Sequence, residues 1–243
     1  MSNSEIPEPI SADLAGLIDY ALTRTQLSEA DVARGCELAK QHAVASVIVR
    51  PSDVDLAARW MAGSGVQLGS LADSPHGYST TAAKTYAARD LLRRGVQEID
   101  TVMNTGKLVS RQFQYLETEL LQMAEACHQS GALLKVNLES EFLTEELNII
   151  ACRIARRAGA DYIGTSKLED VALLLSHSRD RLKIKCHAPI GDLERALGFQ
   201  SAGCARIEIA EPIPVLEAWK ARCGAGGSGL GTPECSQSPV PGP

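Results

Sequence analysis

What most constrains this chain is an alternation rather than a motif. From about residue 14 to about residue 222, short runs of Val, Ile, Leu and Ala take turns with longer amphipathic stretches, each closing near a glycine. Eight such runs, at 17–20, 45–50, 66–71, 98–104, 133–139, 161–166, 182–187 and 206–210, are candidate strands. Strands covered on both faces read as nearly unbroken apolar segments, and these do. The stretches between them carry helix punctuation. Ser28 with Asp31 predicts an N-cap and an acidic first turn, Thr144-Glu145-Glu146 predicts another, and Ala158-Gly159 predicts a left-handed stop.

Eight parallel strands with a helix after nearly every one, in 243 residues, predict an α/β fold that is a single (β/α)8 TIM barrel. The rival is an open doubly wound sheet, but no Gly-rich phosphate fingerprint follows the early strands. With 44% apolar and only 4% aromatic residues, the interior must be aliphatic. The barrel domain is expected over 10–222, after a loose segment at 1–9. The Gly/Pro/Ser-rich tail at 223–243 has too little apolar surface to fold and is expected to be disordered.

Charge and motif content exclude several functions. The net charge of −6 comes without a basic stripe, so nucleic acid is not an expected partner. No run of about 18 apolar residues predicts a membrane span, and the acidic N-terminus has no apolar leader, which implies a cytoplasmic protein. Seven cysteines without a C-x-x-C pair argue against a disulfide framework or zinc ribbon. Without H-x-H or H-E-x-x-H spacing, no metal site is expected, and no cofactor is implied.

Side chains alternate along a strand, and in a barrel those near the C-terminal strand ends reach the mouth where chemistry is done. That rule turns inward Asp19, Arg50, Asp100 with Asn104, Lys135 with Asn137 and Glu139, Lys183 with Lys185 and His187, and Glu208. A barrel interior is normally apolar, so ionisable groups from several strands need partners there. Such a cluster marks either a site or a neutralised polar layer of the core.

Several stretches carry a family resemblance. They are Leu17-Ile18-Asp19, the segment from Ala45 to Pro51, Pro75-His76-Gly77, the segment from Glu98 to Asn104, Leu133-Leu134-Lys135-Val136, and the segment from Ala158 to Ile163. In this order and spacing the chain resembles the deoxyribose-phosphate aldolases. The resemblance implies a class I aldolase barrel, in which one lysine forms a Schiff base while a second lysine and an aspartate manage its protons. It also implies a homodimer. Asp100, Lys185 and Lys135 match the family's Asp and two of its lysines.

The nucleophile does not match. The family's Lys-Thr-Ser-Thr-Gly appears here as Gly164-Thr165-Ser166-Lys167-Leu168, so the Schiff-base position holds glycine. The phosphate-binding Lys-x-Ser-Gly-Gly becomes Lys185-Cys186-His187-Ala188-Pro189, and proline removes an N–H that would face an anion. Gly-x-Ser-Ser becomes Glu208-Ile209-Ala210-Glu211, which repels a phosphate dianion.

The expected function is therefore a diverged aldolase-like enzyme acting on a small non-phosphorylated carbonyl substrate, by C–C bond formation, cleavage or isomerisation. Lys185, Asp100 and Lys135 are its expected catalytic residues. Asp19, Arg50, Asn104, Glu139, His187 and Glu208 are expected to bind substrate. Lys185, between Lys135 and Lys183, is expected to have a lowered pKa and to form any imine. Lys167 is the alternative nucleophile, or else a solvated lysine at a helix start. Cys186 is expected to face the helices as an inert thiol. Two rivals remain: an inactive homologue that binds a metabolite or partner, and a true deoxyribose-phosphate aldolase with a relocated lysine.

Overall fold

The computed structural model describes residues 14–73, 75–179 and 181–225. Eight strands are present: β1 Ile18–Leu22, β2 Ser46–Val49, β3 Gln67–Leu71, β4 Glu98–Val102, β5 Leu133–Asn137, β6 Tyr162–Thr165, β7 Lys183–Cys186 and β8 Arg206–Ile209. Each pairs in parallel with the next, and β8 returns to β1, where Asp19 lies opposite Glu208. The sheet closes, so no strand edge is left exposed. This is a single (β/α)8 barrel.

The helices are α1 Glu29–Gln41, α2 Val54–Met61, α3 Thr81–Arg93, α4 Thr105–Val109, α5 Phe113–Gln129, α6 Glu145–Ala158, α7 Glu169–Ser178, α8 Leu193–Ser201 and α9 Pro212–Ala225. The punctuation holds at both helices where it is clearest in the sequence. Ser28 and Asp31 form a reciprocal capping box on α1. Thr144 caps α6, which stops at Gly159 with φ of 87°. The final helix runs through Cys223 and Gly224 to Ala225, past the boundary expected at 222. The segments 1–9 and 226–243 lie outside the described residues.

The core is aliphatic and fills the space between sheet and helices, as the composition requires. Cys186 is buried there, and desolvation pushes its thiol up to about 11. Among the described residues, no helix is long and apolar enough to cross a membrane. One charged group in the helix layer fixes the geometry of the mouth. Lys84 of α3 is fully buried and donates to Val102 O at 3.0 Å and Glu119 Oε1 at 2.8 Å. It thereby ties the C-terminal end of β4 to α3 and α5, and Gly77 of the β3–α3 loop runs so near the same carbonyl that a Cβ there would overlap it.

Candidate active site

Inside the barrel, strand alternation brings charges from five strands into one lattice. Lys135 on β5 donates to Asp19 Oδ2 of β1 at 2.8 Å and to Glu98 Oε2 of β4 at 2.5 Å. Arg206 on β8 bridges the same two carboxylates, at 2.6 Å to Asp19 Oδ1 and 3.0 Å to Glu98 Oε1. Ser46 of β2 adds a hydrogen bond to Asp19 at 2.7 Å. The Tyr162 ring packs against Lys135 and Arg206, with centroid distances of 5.5 and 5.7 Å. One layer nearer the mouth, Lys185 of β7 bonds Asp100 of β4, lies 2.8 Å from Glu208 Oε2, and stands 3.7 Å from Asp19.

These contacts set the protonation states. Burial opposes the charge on Lys185, but Asp100, Glu208 and Asp19 outweigh it and raise its pKa above the ordinary lysine value. This overturns the expected direction: neighbouring lysines do not make Lys185 a free amine, because carboxylates from three strands surround it. Lys135 behaves likewise, with burial outweighed by Asp19 and Glu98. Asp19 has its pKa lowered, since Lys135, Lys185 and Arg206 together overcome the desolvation that would raise it. Lys183, exposed at the start of β7, reaches the Tyr162 ring, 5.7 Å from its centroid.

Above Lys185 lies a cavity of about 200 Å³ whose polar walls are Thr23, Asn137, Glu139, His187 and Glu208. It adjoins a wider recess of about 590 Å³ that shares Thr23, His187 and Glu208 and reaches Pro189 and Glu211. Neither is lined by a lysine or arginine. Arg24 pairs with Glu211 at the rim. His187 places Nε2 3.1 Å from Leu138 O. A carbonyl only accepts, so Nε2 carries the proton. Burial lowers the pKa of His187, which leaves a neutral ring with an acceptor at Nδ1.

The vacant nucleophile position is filled from its neighbours. A Cβ placed on Gly164 would overlap Asn137 Oδ1 and come 2.9 Å from His187 Cδ2. Asn137 is held in turn by donating to Asp100 Oδ1 at 3.1 Å. Residue 164 therefore lacks both the amine and the room for one.

Of the other expected site residues, Glu139 lines the cavity and Arg50 lines a recess that shares Thr23, Leu71 and Pro75 with it, while Asn104 lines neither. Arg50 donates to Asp53 at 2.5 Å and to the carbonyls of Arg24, Thr25 and Leu27, so it pins the β1–α1 loop. Asn104 caps α4 by accepting from Lys107 N. Glu139 is at the cavity wall, tied to His76 Nδ1 at 2.9 Å and Thr105 at 3.0 Å. Lys167 donates to Ser140 O at 3.0 Å and lines neither cavity. Glu98, Arg206 and the packing role of Asn137 are the additions of the structure. Glu98 and Arg206 stand two residues before Asp100 and Glu208, so alternation alone would have turned them inward.

No family model matches the chain. It is 32% identical over 215 residues to the deoxyribose-phosphate aldolase of Bacteroides thetaiotaomicron, covering 85% of this chain and 90% of that one. It is 33% identical over 212 residues to the deoxyribose-phosphate aldolase of Treponema denticola, covering 84% and 98%. Among solved structures, an aldolase designated QR15 superposes with a TM-score of 0.82 at 30% identity, over 87% of this chain and 98% of that one. The deoxyribose phosphate aldolase of Aeropyrum pernix, described as a tetramer, superposes with a TM-score of 0.80 at 23% identity, over 86% and 92%, a likeness of fold.

Proposed function

This chain belongs to the deoxyribose-phosphate aldolase family, and from that premise we propose that it acts on a small non-phosphorylated carbonyl compound by proton transfer, without an imine. The observation that carries this reading is the filled position at Gly164 above a Lys185 that carboxylates hold as an ammonium. An ammonium is a poor nucleophile and a good hydrogen-bond donor.

In this reaction His187 Nδ1 takes a proton from the carbon beside the carbonyl, and the C–H electron pair forms a carbon–carbon double bond as the carbonyl π pair moves onto oxygen. Lys185, which lies beneath the cavity behind Glu208, stabilises the resulting enolate when Glu208 turns aside. For an α-hydroxy carbonyl, transfer of the hydroxyl proton to the enolate oxygen and return of the proton from His187 to the former carbonyl carbon complete an isomerisation; alternatively the enolate carbon attacks a second carbonyl, and the new alkoxide takes the proton back from His187. Asp100 positions Lys185. Lys135 neutralises Asp19 and Glu98 beneath it. Glu208 and Glu211, where a phosphate would otherwise sit, are the reason for the non-phosphorylated substrate.

Proton NMR in D2O tests the proposal, with a panel of small hydroxyaldehydes and hydroxyketones. The expected result is enzyme-dependent exchange of the α-hydrogen in at least one compound, reduced about 100-fold or more by His187→Ala, the scale of a lost general base. A second reading, an inactive homologue that binds a metabolite, has its support in the complete burial of Lys185. Binding without exchange across the panel would favour it. We also propose self-association as a homodimer, which sedimentation velocity reads directly.

A further inference from the structure

The charge lattice is balanced without Glu208. Asp19, Glu98 and Asp100 supply three carboxylates, and Lys135, Lys185 and Arg206 supply three cations, joined through Asp19 in one chain of ion pairs. Glu208 is a fourth carboxylate on a neutral set. It also differs in setting: its side chain is 25% exposed, while Asp19, Glu98, Asp100, Lys135 and Lys185 are at most 1% exposed. It lies between Lys185 and open space, and it walls both the 200 Å³ cavity and the 590 Å³ recess.

We infer that Glu208 is a displaceable plug on Lys185, and that the ligand is a small monocarboxylate bearing a carbonyl group, whose own carboxylate takes the place of Glu208. Carboxylate for carboxylate leaves the charge around Lys185 unchanged, so the exchange does not unbalance the lattice. The wider recess gives the displaced side chain somewhere to go. A phosphate dianion would add a second negative charge beside Asp100 and Glu211. A cavity of about 200 Å³ admits a compound of only a few carbons, since drug-sized ligands need more than that. The inference rests on the non-phosphorylated carbonyl reading and names the class of compound within it.

The test is titration calorimetry of the whole protein and of Glu208→Ala and Glu208→Gln, with pyruvate, hydroxyacetone and orthophosphate as probes. If the plug competes with the ligand, pyruvate binds Glu208→Ala at least tenfold more tightly than the wild type. Glu208→Gln keeps the shape and loses the charge, and it should fall between the two. Melting curves establish that each variant is folded, and the glutamine variant serves if the alanine variant is not. Equal pyruvate affinity in all three proteins, or loss of binding in a folded variant, overturns the plug. If hydroxyacetone binds and exchanges its hydrogens while pyruvate does not bind, the inference fails and the carbonyl reading stands. Tightest binding of orthophosphate would sink both.

Discussion

Gly164→Lys is expected to leave 2-deoxyribose 5-phosphate uncleaved and to lower the melting temperature. The substitution supplies the amine that the family's covalent step needs, but the sequence already argues against full rescue, because the anion site stays acidic and proline-blocked. Packing adds a second obstacle. The first side-chain carbon already overlaps Asn137 Oδ1 and crowds His187, and those side chains are held by Asp100 and by Leu138 O. Overpacking of this kind costs about 1–3 kcal/mol, or several degrees in a barrel of this size. The new amine would also enter a mouth whose recess presents Glu208 and Glu211 to a phosphate. The triple variant Gly164→Lys, Asn137→Ala, His187→Ala removes both obstructing side chains. It should regain thermal stability relative to the single variant while still failing to cleave the phosphorylated sugar, which a coupled aldehyde assay reads. Cleavage by the single variant within tenfold of an ordinary relative would mean that neither the filled position nor the acidic recess governs the chemistry.

The strands were legible because burial on both faces leaves little freedom in residue type. The run 133–139 contains the strand Leu133–Asn137, and the run 206–210 contains Arg206–Ile209. Alternation also placed Asp19, Asp100, Lys135 and Lys185 together correctly, since a strand's inward set follows from one fixed point. What alternation does not encode is which inward neighbours meet across the barrel. Lys185 looked like a lysine among lysines along its own strand. Its real neighbours are Asp100, 85 positions away, with Asp19 and Glu208, and closure of the barrel decides that they win. Lys84 was illegible for another reason. A lysine on an amphipathic helix normally reaches solvent, and only the packing of α3 on α5 turns it onto Glu119. The loss of the nucleophile was visible as a glycine in the wrong place. That Asn137 and His187 fill its space is a property of the packed structure.

Lys135→Met is expected to produce the largest loss of stability of any single change in the barrel interior. Lys135 is fully buried between Asp19 and Glu98, both fully buried themselves. Removing one partner of a buried ion pair leaves an uncompensated charge and costs about 3–5 kcal/mol, which corresponds to a fall in melting temperature on the order of 10 °C. Replacing Glu98 as well, in Lys135→Met with Glu98→Leu, removes one charge of each sign and leaves Asp19 with Arg206 and Lys185. The double variant should therefore be more stable than Lys135→Met alone, with a coupling energy of about 1–3 kcal/mol between the two positions. The pH dependence has a definite sign. Asp19 has its folded pKa lowered below the ordinary value of about 4, so its contribution is fully present above that value and is lost as pH falls through the lower, folded pKa. The raised pKa of Lys135 acts oppositely: its contribution is full below the ordinary lysine value of about 10.4, and it declines as pH rises through the folded pKa. Wild-type stability should thus hold across neutral pH and weaken at both extremes, while the double variant, lacking Lys135, should lose most of the alkaline dependence that this lysine contributes. Denaturant melts of the three proteins between acidic and alkaline pH measure this. A Lys135→Met variant that melts within a degree or two of the wild type would show that the lattice is not a stabilising layer of the core.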